Sequence, residues 1–210
     1  MDEQQIKAKL DGMKKTRKTL GTLSLIAALI AIVLLIVYNF LGVTFLKVDI
    51  PDQIISAADF TKGFTFPGWQ MVFWGCGGQF IMQDNLYNPN PLAIVAMVGT
   101  LLVLIICTAL YKKGKNQSKA VKEFISGGCL TFSALVLCFF IVPVSKLAAT
   151  SGGVYDFQHK IIDNATAYNP TAIAILVGVI LLICACVKIY NGYFLLQQRA
   201  FAKKYAPKKA

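Results

Sequence analysis

Charge is what this sequence has least of. Only 15% of its 210 residues are Asp, Glu, Lys or Arg, against about 25% in a typical soluble domain. The shortage is confined to four long stretches, and the charges are packed between them. That segregation excludes an ordinary soluble domain and implies an integral membrane protein. Histidine is nearly missing too, with one in the chain. That residue, His159, follows Asp156 by three positions and Ser151 by more, in a polar loop where nothing fixes the geometry of a hydrolase triad. There is no Gly-rich phosphate loop with its lysine, no His-Glu-x-x-His and no Cys-x-x-Cys. No acid pair or Ser/His dyad falls inside an apolar stretch, so the chain reads as non-catalytic, without cofactor or metal. Cysteine pairs are missing from the loops. Five of the six cysteines lie in apolar stretches and only Cys76 lies in a loop, which excludes a disulfide within a loop. Cys184 and Cys186 are two apart and point to different faces of a helix, unlike metal ligands.

What is present is a set of apolar runs of about twenty residues, the length a helix needs to cross a bilayer's hydrocarbon core. They predict spans over 20–41, 90–111, 124–144 and 170–190. The fold class is an all-α integral membrane protein, a single domain of four transmembrane helices with a long aromatic first extracytoplasmic loop. The second run opens on Asn90-Pro91, a cap followed by a proline at the first helical position. The same design returns 79 residues later at Asn169-Pro170. A gapless slide matches Ala93 with Ala172, Val98 with Val177, Gly99 with Gly178, Leu102 with Leu181 and Tyr111 with Tyr190. A duplicated hairpin would give parallel repeats about an axis along the membrane normal.

Small residues mark the faces where helices can approach closely: Ser24, Ala27, Ala28 and Ala31 on the first span, Gly99 on the second, Gly127 and Gly128 on the third, Gly178 on the fourth. No Asp, Glu, Arg or His lies inside a span, and Lys188, near one end of the last, is expected to snorkel outward. Buried ionisable groups are the usual equipment of pumps and ion-coupled transporters.

The net charge of +11 invites a nucleic-acid reading, but position decides against it. Seventeen of the 21 basic residues fall in 1–19, in the loop from Lys112 to Glu123, and at the C-terminal end. By the positive-inside rule both termini and that loop face the cytoplasm, in a plasma-membrane setting, while loops 42–89 and 145–169 lie outside. Residues 1–19 have two readings: a short helix on the anionic membrane surface, with Ile6, Leu10 and Met13 at helical spacing, or a solvated basic tail. The tail 191–210 is expected to prolong the last helix before fraying.

The first outer loop holds both tryptophans. From Gly63 to Met82 it is too apolar for a free loop and too short and glycine-broken for a span. Periodicity leaves helix, strand and re-entrant segment open. Phe64, Phe66, Trp69, Phe73, Trp74 and Phe80 either anchor the bundle at the interface or offer a binding surface to another membrane protein. Four spans, inward termini, a larger first outer loop and Trp74-Gly75-Cys76 together resemble the claudin-type tetraspan layout. That family carries Trp-Gly-Leu-Trp followed by two cysteines. Here the leucine, the second tryptophan and the second cysteine are absent, so neither the family's disulfide nor its junction-forming role is implied.

The functional expectation is association through helices, as a homo-oligomer or as a subunit of a larger membrane complex, with lipid and membrane protein as partners. The alternative is a channel or facilitator for a small solute, its pore lying between protomers and lined by Ser24, Thr100, Thr108, Thr131 and Ser133.

Overall fold

The structure is a computed structural model and describes residues 3–48, 64–74, 91–111, 116–139 and 165–205. Cys76, Phe80, His159 and the end of the expected third span, 140–144, lie outside the described residues. Four helices are long and apolar enough to cross a membrane: α1 (Glu3–Tyr38), α2 (Pro91–Ala109), α3 (Asn116–Phe139) and α4 (Ala172–Tyr205). The basic N-terminal segment is neither a separate surface helix nor a loose tail, because α1 runs unbroken from it into the first apolar stretch. The reason is local: between Glu3 and Tyr38 there is no proline, and the one early glycine, Gly12, sits on an exposed face. α4 likewise runs past its apolar stretch into the tail.

Contacts group the chain into two compact units. The first comprises Met1–Val33, Thr100–Thr131 and Ile180–Ala210, the second Leu34–Gly99 and Phe132–Val179.

The second unit contains the departure from an all-helical reading. Strands β1 (Gly42–Val48), β2 (Phe64–Pro67) and β3 (Ala165–Pro170) form a three-stranded sheet in the order β2-β1-β3. Both pairings are antiparallel, with Phe45 opposite Thr65 on one side and Asn169 on the other. β1 reads Gly-Val-Thr-Phe-Leu-Lys-Val, rich in the β-branched and aromatic residues that suit a pleated surface. Asn169 and Pro170 therefore end a strand, and the cap of α4 is Thr171. Its hydroxyl accepts from Ala174 N at 3.2 Å while donating to Gly42 O at 2.6 Å. Only the first half of the repeated Asn-Pro design starts a helix as expected, at Pro91.

α2 and α3 each contain a wide π-helical turn, Val95–Gly99 and Ala134–Phe139. Such a turn strains the regular ladder and loosens carbonyls for outside donors. Both are used: the Ser133 hydroxyl donates to Ala96 O, and the buried Tyr38 hydroxyl donates to Leu137 O at 2.5 Å. A further π-helical turn, Gln70–Trp74, follows β2. The aromatic segment is thus strand first and helical turn second. Met71 and Val72 are buried, and Trp69 and Phe73 are half-buried.

Candidate functional site

In the first unit, α3 and α4 bury one face each at helical spacing. On α4 the stripe runs through Leu181, Ala185, Lys188 and Leu195, and on α3 through Ala120, Glu123, Ser126 and Leu130. A charged residue thus falls on each interior stripe. Glu123 is 1% exposed and Lys188 4%. This corrects two sequence expectations. Lys188 does not snorkel, because its position on α4 points it at α3, and Glu123 is not a loop residue, because α3 starts at Asn116 rather than at Phe124.

Lys188 Nζ lies 3.2 Å from Glu123 Oε2 and 3.3 Å from Ser24 Oγ on α1. Ser24 Oγ lies 2.8 and 2.7 Å from Glu123 Oε1 and Oε2. Its single proton serves one oxygen at a time, so the hydroxyl bridges the carboxylate and accepts from the ammonium. Asn191 Nδ2 donates to Glu123 Oε1 at 3.1 Å and lies 3.2 Å from the Tyr111 hydroxyl. Three helices thus meet on one carboxylate, and Tyr111, beyond α2, joins through Asn191. A buried charge is tolerated only when paired and hydrogen-bonded, and here Lys188, Ser24 and Asn191 share the task. The space beside the cluster, bordered by Cys107, Thr108 and Ser126, has roughly 10 Å³ of room for a water's centre, about one molecule. The cluster is a joint between α1, α3 and α4. The signal for it was present in the sequence: the lone acid of the lysine-rich loop lies three residues before Ser126 and seven before Leu130, in phase with the interior stripe.

The small residues expected to seat helices are accounted for one by one. Ala28 and Ala31 are fully buried and Ala27 is nearly so. Gly127 packs on α4, where an added Cβ would come within 2.6 Å of Ile189 Cγ1 and 3.2 Å of Ala185 O. In the second unit, Gly178 packs on Cys138 and Phe139, at 2.7 Å from each to an added Cβ. Gly99 meets only Val95 of its own helix at 3.8 Å, and Gly128 meets nothing within 4 Å. Adjacent glycines therefore differ in role. Gly127→Ala is expected to lower stability by about 2 kcal/mol through overpacking, while Gly128→Ala is expected to raise it by up to about 1 kcal/mol through helix propensity. Detergent-resistance unfolding of the two variants checks this, and equal effects would contradict the packing.

Of the expected aromatic surface, Trp69 and Phe73 lie beside buried Met71 and Val72. Phe64 and Phe66 belong to β2, where they oppose Leu46 and Thr44 in register, and Trp74 closes the π-helical turn. Cys184 is buried and Cys186 exposed, on different faces as their spacing requires, and among the described residues no cluster of His, Cys, Asp or Glu could hold a metal. The chain matches no protein-family model, no curated protein sequence and no solved structure.

Proposed function

We propose that this chain is a non-catalytic tetraspan membrane protein that acts by association, as a homo-oligomer or as a subunit of a membrane complex, with both termini in the cytosol of a plasma-membrane setting. The observation that carries the reading is where the polar groups point. Ser24 serves Glu123, Thr100 donates to Cys129 O at 3.2 Å, Thr131 to Gly127 O at 3.1 Å, and Ser133 to Ala96 O. Four of the five hydroxyls that would line a pore between copies are thus turned onto carbonyls and a carboxylate of their own chain, while Thr108 Oγ1 is buried without a hydrogen-bond partner among the described residues. The exposed helix faces are instead Leu29, Ile30 and Val33 on α1, Leu102 and Ile105 on α2, and Leu176 and Ile183 on α4. A surface of that kind meets lipid tails or another apolar helix. The small-residue stripe of α1 is occupied within the chain, so association falls to these larger side chains and to the Trp69–Phe73 turn. The sorting of Lys and Arg supports the orientation.

Two measurements test it. Protein purified in mild detergent is expected to run at a multiple of the chain mass, or with a second polypeptide in fixed ratio. In liposomes it is expected to pass neither ions nor small neutral solutes above the lipid background. A lone monomer with robust flux would overturn the proposal and favour the facilitator.

A further inference from the structure

Beside the buried joint, the first unit carries an open groove of about 450 Å³ whose lining is cationic at one end and apolar at the other. Lys14, Arg17, Lys18 and Gly21 are spaced i, i+3, i+4, i+7 and present one face of α1 to it. Lys119 of α3 closes the other side, its ammonium 5.6 Å from the centre of the Tyr111 ring. Asp11 takes Lys14 at 2.9 Å. Among the described residues, Arg17, Lys18 and Lys119 have no carboxylate partner. The Tyr111 hydroxyl already accepts from Asn191, which leaves its proton to donate into the groove. Gly21 keeps the floor open, since an added Cβ there would sit 3.2 Å from that hydroxyl. One turn further along α1, exposed Leu25 makes the wall apolar.

From this arrangement we infer that the groove binds the phosphodiester headgroup of an anionic phospholipid from the leaflet in which this end of the helices lies. A planar guanidinium, two ammonium groups and a phenol converge on one space, as phosphate recognition requires, and its size suits a small ligand. The apolar wall distinguishes a lipid from free phosphate, because an acyl chain continues where the cations stop. Basic pockets between membrane helices hold lipid headgroups by the same physics. The inference rests on the helices spanning a bilayer and is independent of association.

Full-length protein in neutral detergent is titrated with short-chain phosphatidylglycerol, phosphatidylcholine and inorganic phosphate, and bound species are counted by native mass spectrometry. Phosphatidylglycerol is expected to be retained at one per chain, with phosphatidylcholine and inorganic phosphate bound far more weakly. Arg17→Gln/Lys18→Gln/Lys119→Gln is expected to lose roughly fivefold in affinity for each cation removed. The matched control Lys7→Gln/Lys203→Gln/Lys204→Gln, which removes the same charge from exposed sites elsewhere, keeps the lipid. Gly21→Leu fills the groove without altering charge and is expected to lose at least tenfold. Equal retention of both lipids, an equal loss in the control, or full binding by Gly21→Leu would each overturn the site. Tight binding of inorganic phosphate alone would replace the lipid by a free anion and overturn it as well.

Discussion

Lys188→Met is expected to destabilise the folded protein by about 3–5 kcal/mol, the largest effect of any single side-chain replacement considered. The substitution preserves length and volume but leaves the Glu123 carboxylate buried at 1% exposure with only the Ser24 hydroxyl and the Asn191 amide as partners. In the reverse variant, Glu123→Gln, a carboxamide oxygen replaces an anion beside the ammonium, and a comparable loss is expected. The double variant Glu123→Leu/Lys188→Met removes both charges together and should recover most of the stability, because the pair's attraction largely offsets its own desolvation. Unfolding of all three in mixed micelles of sodium dodecyl sulfate reads the differences directly. A single variant within about 1 kcal/mol of the parent would mean that the carboxylate does not depend on the ammonium, and the cluster would lose its role as the joint of the first unit. In a bilayer such a joint matters more than apolar burial, since lipid tails solvate leucine as well as another helix does.

Gly68→Ala carries the second large effect. Gly68 is buried where the chain leaves β2 and crosses the end of α1. Its N–H donates to Leu41 O at 3.1 Å, and the next residue, Trp69, donates to Asn39 O at 3.1 Å. A methyl group at position 68 would run into the Tyr38 carbonyl and lie 2.6 Å from Tyr38 Cδ1. A side chain can swing away from such a clash, but a helix's last carbonyl cannot. A loss of about 3 kcal/mol is expected, at the upper end of overpacking penalties. Both tryptophans of the chain, Trp69 and Trp74, lie close by in sequence, so their fluorescence should shift to the red before the helices unfold. An unshifted spectrum and an unchanged midpoint would show that the crossing has slack.

The parts that the sequence revealed and the parts that it hid divide along physical lines. Length and apolarity alone decide whether a helix can cross a bilayer, and four helices of that kind are present. The small residues of α1 were readable because only small side chains let backbones approach. The charged joint was hidden for a different reason. A lysine near the end of an apolar run snorkels when it faces lipid and pairs when it faces a neighbour. Only the phase of Lys188 against Leu181 and Ala185 separates the two cases. Glu123 was masked by the lysines around it, which read as loop. The sheet was hidden because its strands are seven, four and six residues long and because β1 finds a partner far along the chain, a pairing that no local pattern announces. Asn169-Pro170 misled through its likeness to Asn90-Pro91: the same dipeptide can open a helix or end a strand, and Thr171 was the true cap.

The central position of β1 sets an order on biosynthesis. β1 is made before β2, and β3 arrives only when the chain has been made as far as Pro170. Until then one edge of β1 exposes unpaired amides and carbonyls, the kind of edge on which nascent chains aggregate. The same late segment delivers Thr171, whose backbone N–H reaches Val43 O at 2.9 Å, so the newest residues latch onto some of the oldest. A chain cut short before residue 165 would therefore keep one edge of the sheet open.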